Sequence, residues 1–389
     1  MQNVDAAGVG IGDDYPPRMM GVLNVSEESP YDPSVYNDPG EAATYVDEEL
    51  IDEGADIVDV GLESANKRFE VLSAEEELDR LDVALETMAS TSGDVVWSIE
   101  TRYHEVADEA LSSGFDMVND ICGFADPAMP DVCREHDAAV SKMASPPDLE
   151  RPGALTDVEA IYDALANNGF TDKTILDPAF GGWSEEKTLD DDRETFRRLR
   201  EFRGYGRPLL VSINRKNFLR DVADRSTEEA LPVSLAATSM AVERGAHVIR
   251  THDVAATRDA ALIGAEFARD RTTTDDGIGI EELDVTTVGE ALRHIDRLDA
   301  DEAAAGGSVV GVYELRGLSP EAVGALRAAT VDGCASFCRA GSDHEPDTTD
   351  GTCGLLVGSP AAIEIVETRV SGVTDPLDGA METIRDGFR

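Results

Sequence analysis

The chain has 389 residues, 41% of them hydrophobic, enough for a sizeable core and for more than one domain. Asp and Glu number 80 against 33 Lys and Arg, a formal charge of −47 that excludes nucleic acid or an anionic membrane as the main partner. Lysine is scarce, five against 28 arginines, which points to a halophilic source whose salt screens self-repulsion within roughly 3 Å.

In chain order, "MQNVDAAGVGIGDDYPPR" has neither a cationic start nor an apolar segment, so no signal peptide is expected. No apolar run approaches ~18 residues, which leaves a cytoplasmic chain without a membrane span. Short β-branched runs then alternate with longer amphipathic ones. Strands are predicted at Met19–Val25, Asp56–Gly61, Val95–Glu100, Asp116–Asp120, Ala138–Met143, Thr174–Pro178, Pro208–Ile213 and His247–Thr251. Ser73 with Glu76 forms a capping box, and Gly54, Gly114, Gly169 and Gly245 sit where helices end. Near-continuous apolar strands separated by helices imply a parallel sheet covered on both faces. Eight such units predict a (β/α)8 TIM barrel over residues 1–270; a doubly wound open sheet is the rival. No G-x-G-x-x-G follows the first strand, so dinucleotide binding is disfavoured.

Beyond residue 277 the pattern changes, and residues 278–389 are expected to form a smaller α/β domain with strands near Ser308–Glu314 and Gly354–Val357. The five cysteines are odd in number and unevenly spread, as in a reduced protein. Cys334, Cys338, His344 and Cys353 offer a zinc-type ligand set, but paired C-x-x-C knuckles are missing. Small buried hydrophobes are the simpler reading of those cysteines.

Barrel enzymes build their sites at the C-terminal ends of the strands. Here those ends carry Asn24; Glu63 and Ser64; Glu100; Asn119 and Asp120; Lys142 and Met143; Asp177; Asn214, Arg215 and Lys216; Arg250 and His252. Each alone is explained by a helix cap or a solvated rim; eight together point to a site. Arg215, Lys216, Arg250 and His252 suggest a cationic arc for phosphate after strands seven and eight. Asn24 could add an oxygen ligand to Mg²⁺ riding on that anion. Across the mouth, Glu100, Asn119 and Asp177 suit a flat heterocycle bearing N–H donors.

"GVLNVSEESPYD", "GADIVDVGLES", "SIETRYHEVADEAL", "DMVNDICG", "ILDPAFG", "SINRKNF" and "GAHVIRTHDV" resemble the ordered motifs of dihydropteroate synthase, from Met19 to about Arg269. The resemblance implies condensation of dihydropterin-CH2-diphosphate with p-aminobenzoate or a related arylamine, Mg²⁺ assisting diphosphate departure. By position, Asn24 would meet metal and diphosphate, and Arg250 and His252 would bind diphosphate. Asn119, Asp177 and Lys216 would hold the pterin, with Met143 lining its pocket. Asn24, Arg250, His252 and Lys216 are thus the expected catalytic residues. Glu100, Asn119, Met143, Asp177, Asn214, Arg215, Lys67 and Arg68 are the expected substrate contacts, and a homodimer is the expected assembly.

Several positions depart from the family pattern. Glu100 replaces Asp, Asn214 replaces Ser, and "DPAFGGWSEEKT" is three residues longer. "ESANKRF" replaces a Thr-Arg-Pro-Gly loop, with Lys67 or Arg68 as compensating cations. A corrinoid-dependent pterin methyltransferase, a non-catalytic pterin-binding protein and a purely structural barrel are the alternatives.

Overall fold

A computed structural model describes residues 1–26, 32–63, 71–181, 187–269, 271–275, 278–339 and 352–388. The chain divides into two compact units, Met1–Thr272 and Thr273–Arg389.

The first unit begins with a hairpin, β1 (Val4–Ala6) and β2 (Val9–Ile11), which the sequence reading did not anticipate. Its turn places Ala7 and Gly8 at φ 48° and 92°, the left-handed geometry that two-residue hairpin turns require. Eight parallel strands follow: β3 (Arg18–Asn24), β4 (Ile57–Gly61), β5 (Val96–Thr101), β6 (Met117–Asp120), β7 (Ala139–Met143), β8 (Thr174–Asp177), β9 (Leu210–Val211) and β10 (Val248–Thr251). They pair in the order β8-β7-β6-β5-β4-β3-β10-β9, and a Leu176–Leu209 bridge joins the two ends. The result is a TIM barrel, not an open sheet.

Inside positions recur every second residue. The lowest inward layer includes Met20, Ile57, Val96, Ile175, Leu210 and Val248, and Val4, Ala6 and Ile11 of the hairpin close it from below. Outward residues such as Leu23, Val60, Ile99 and Val118 join the helices in the main core. Helix Ala74–Ser90 begins where Ser73 and Glu76 form the expected box. Gly54, Gly114, Gly169 and Gly245 all have positive φ just beyond helical turns. Among the described residues, apolar side chains plug the bottom, and the inward polar residues Glu100, Asn119, Asp177 and Arg250 line a cavity at the upper mouth.

A ribbon, β11 (Thr272–Asp275) with β12 (Ile278–Glu281), spans the boundary between the units in sequence. The second unit is an antiparallel sheet of β13 (Gly311–Leu318), β14 (Ser336–Arg339) and β15 (Thr352–Gly358), in the order β13-β15-β14. Strand β14 lay outside the sequence expectation, and Glu302–Gly307 forms a 3-10 helix. Helices Pro320–Ala329, Pro360–Val370 and Asp375–Asp386 cover one side, burying Leu326, Leu356, Ile363, Val366 and Met381. Cys334 Sγ lies 3.4 Å from Asp332 Oδ1 and 3.9 Å from Arg369 Nη1, committed to that helical side, whereas Cys338 is exposed on β14. His344 lies outside the described residues. Among the described residues no helix is long and apolar enough to cross a membrane.

Candidate active site

A cavity at the C-terminal mouth of the barrel is lined by Glu100, Asn119, Met143, Asp177, Lys216 and Arg250. Ile121, Phe180 and Ser212 complete its wall, and none of these three had been singled out from the sequence. The period-2 rule assembles the lining: Glu100, Asn119, Met143 and Asp177 are the last inward positions of β5, β6, β7 and β8. Outward neighbours go elsewhere. Lys142 donates to the carbonyls of Leu165, Asn167 and Gly169 at the end of helix Val158–Ala166. Asp120 accepts from the amides of Cys122, Gly123 and Phe124. Both were counted at the mouth from the sequence, and neither lines the cavity.

The expected division into a cationic arc and an acidic wall is not what the structure shows; the charges interleave. Arg250 Nε donates to Asp59 Oδ2 at 2.7 Å, and Arg250 Nη2 to Glu100 Oε2 at 2.6 Å. The extra methylene of Glu100 reaches the guanidinium. Arg215 turns to Asp253, with Nε–Oδ2 and Nη2–Oδ1 both 2.8 Å, and Asn214 Nδ2 donates to the same carboxylate at 2.9 Å. Burial, with the charge of Arg250 beside it, pushes the His252 imidazole down to about 3, so it is neutral near pH 7. Asp59 is the residue the sequence reading missed. It is fully buried in "DIVDVG", two positions from the inward Gly61, so the alternation marks it as inward.

Ionisation across the cavity is set by burial. Desolvation raises Asp177 to about 6, although the Ala179 amide at 2.8 Å and the charges of Lys216 and Arg250 pull the other way. Lys216 is lowered to about 8, by burial first and then by Arg250. Burial also raises Glu100, against the pull of Arg250. Arg250 itself is raised, because Glu100 and Asp59 outweigh its desolvation. Gly181 at φ 118° lets the chain pass Lys216, whose Nζ would lie 2.8 Å from any Cβ there.

At the same mouth, Asn24 ends β3 and donates Nδ2 to Ser34 Oγ at 2.9 Å. A Cβ at Gly61 would lie 3.1 Å from Asn24 Oδ1 and 3.7 Å from Glu100 Oε1, so glycine keeps both oxygens facing one space. A neutral amide oxygen beside a carboxylate suits a hard divalent cation such as Mg²⁺. Lys67 and Arg68 lie outside the described residues. Glu63, at the preceding rim, accepts from the Leu72 amide at 2.9 Å and pairs with Arg102.

A family model described as pterin binding enzyme matches residues 20–252. Dihydropteroate synthase of Bacillus subtilis is 33% identical over 242 residues, 61% of this chain and 83% of that protein. A probable bifunctional folylpolyglutamate synthase/dihydropteroate synthase of Halobacterium salinarum is 33% identical over 248 residues, 61% of this chain but only 30% of that protein. Among solved structures, a dihydropteroate synthase from Coxiella burnetii in complex with pteroic acid aligns with a TM-score of 0.58 and 30% identity, covering 68% of this chain and 98% of that one. The Thermus thermophilus enzyme in complex with 4-aminobenzoate gives 0.56 and 29%, covering 68% and 99%. The chain belongs to the pterin binding enzymes, as a transferase of the dihydropteroate synthase type.

Proposed function

We propose that the barrel joins dihydropterin-CH2-diphosphate to p-aminobenzoate or a closely related arylamine, in the cytoplasm of a salt-adapted cell. The carrying observation is the cavity in which Asn119, Asp177 and Lys216 meet, with Asp177 raised to about 6 by burial. A carboxyl so raised is short of donors, and the amino and amide N–H groups of a pterin supply them. Lys216 donates to the ring's acceptors. Asn24, His252 and Arg250 lie toward the departing diphosphate, with neutral His252 donating an N–H rather than a charge. Asn24 Oδ1 would hold Mg²⁺, which when bound neutralises charge on the leaving group. The C–O bond to diphosphate breaks, the amine nitrogen forms the new C–N bond, and one amine proton passes to solvent. No protein nucleophile is needed; orientation and preorganised charge carry the rate.

Arg215 and Asn214, held on Asp253, shape the rim near the second substrate. Lys67 and Arg68 are proposed to add charge near the diphosphate. A homodimer is proposed across the apolar groove lined by Phe196, Phe218, Val222, Val233 and Met240, where Val222 is 73% exposed. Steady-state assays at high salt with pterin diphosphate, Mg²⁺ and either p-aminobenzoate or its ribosylated form test the reaction. Diphosphate release coupled to a pterin–arylamine product is expected. Absence of turnover with both amines would overturn the proposal.

A further inference from the structure

We infer that Asp59 is a positioning residue that sets the hydrogen-bond polarity of the pterin pocket, turning Asn119 into an acceptor and fixing the plane of Arg250. This rests on the reading of the cavity as a pterin site.

Asp59 sits at the inward middle position of β4, wholly removed from solvent. Three donors converge on it from three different strands. Ser98 Oγ, on β5, donates to Oδ1 at 2.7 Å. Asn119 Nδ2, on β6, donates to Oδ2 at 3.0 Å, and Arg250 Nε, on β10, to the same oxygen at 2.7 Å. An asparagine amide has one donor end and one acceptor end. Reversed, Asn119 would bring its carbonyl oxygen to 3.0 Å from a carboxylate oxygen, two acceptors in a low-dielectric site. The carboxylate therefore commits Nδ2 and leaves Oδ1 as the end that Asn119 can offer a ligand.

Arg250 is held in the same way. Asp59 takes Nε, and Glu100 on the next strand takes Nη2 at 2.6 Å, so two carboxylates fix one guanidinium plane. Asp59 does not itself line the cavity, whereas Asn119, Glu100 and Arg250 all do. Its role is thus indirect: the pocket's acceptors and donors are aligned before the ligand arrives, and no reorganisation is needed on binding.

The test measures pterin affinity by calorimetry and steady-state constants for wild type and Asp59→Asn. Asparagine at position 59 can keep one oxygen facing Asn119 and Arg250, with its N–H toward Ser98 Oγ, but it removes the negative charge that holds both donors. The dissociation constant for pterin and the KM for the pterin substrate are expected to rise roughly 10- to 100-fold. The KM for the arylamine is expected to stay within about 3-fold. Unchanged pterin affinity in Asp59→Asn overturns the inference. Should Asp59→Asn not fold, Ser98→Ala frees one oxygen of the carboxylate; a several-fold weaker pterin affinity is expected, and an unchanged one overturns the inference. Wild-type protein that binds no pterin removes the functional reading and this inference with it. Wild-type binding that Asp59→Asn matches sinks the inference alone.

Discussion

Two aspartate networks, at opposite ends of one barrel, have their carboxyls shifted in opposite directions. At the bottom, Asp13 takes both terminal nitrogens of Arg203 at 3.1 Å and Nε2 of His247 at 3.1 Å. The Leu209 amide donates to His247 Nδ1 at 3.0 Å, so the imidazole proton must sit on Nε2, pointing at Asp13. Burial would raise Asp13, yet these donors hold its carboxyl well below the usual range. At the mouth, Asp177 has the Ala179 amide and flanking charges, and burial wins, raising it to about 6. Burial alone therefore does not mark a functional carboxyl. The difference is the supply of donors: complete at the bottom, where the network stabilises, and incomplete at the mouth, where a ligand can finish it.

The comparison is broken most forcefully by neutralising each aspartate in turn. Asp177→Asn is expected to lower kcat/KM by about 1000-fold while leaving the melting temperature near pH 7 unchanged or higher. Its folded pKa is raised, so ionising it costs stability as pH climbs from 3.8 to about 6, and the variant escapes that cost. Asp13→Asn should show the converse, with kcat/KM of the folded protein within about 3-fold of wild type. Denaturant unfolding is expected to reveal a loss of about 3 kcal/mol, from leaving Arg203 without its carboxylate. Here the folded pKa is depressed, so the wild-type contribution is present above the ordinary carboxylate value of 3.8 and fades as pH falls below it. A smaller effect is the pH profile of kcat/KM for the pterin substrate. It should rise as Asp177 ionises through about 6 and fall as Lys216 loses its proton through about 8. A profile flat from pH 5 to 9 would mean that neither group meets the substrate in the free enzyme.

The barrel was legible because each inward–outward alternation and each capping residue agreed with the same topology. Strands at "DIVDVG" and "DMVND" needed no more than apolar runs bounded by turns. The end-of-strand rule located the cavity but could not say which of two adjacent polar residues faced it: Asn119 turns inward and Asp120 outward, Met143 inward and Lys142 outward. Charge type misled further. Two pairs of basic residues, after strands seven and eight, read as an arc, yet Arg215 and Arg250 answer carboxylates distant in sequence, and such long-range pairing leaves no local trace. Asp59 was passed over because a single aspartate inside an apolar strand reads as a flaw in the pattern rather than the centre of a network. In the second unit, β14 is four residues long and polar at both ends, below what periodicity can register.

A crystal structure with pterin diphosphate and Mg²⁺ bound tests the account most directly. The pterin ring is expected against Asn119, Asp177 and Lys216, its N–H edge toward Asn119 Oδ1 and the Asp177 carboxylate, with the diphosphate beside Asn24 and His252. A ring seated away from Asp177, or turned so that acceptors face Asn119 Oδ1, would contradict it.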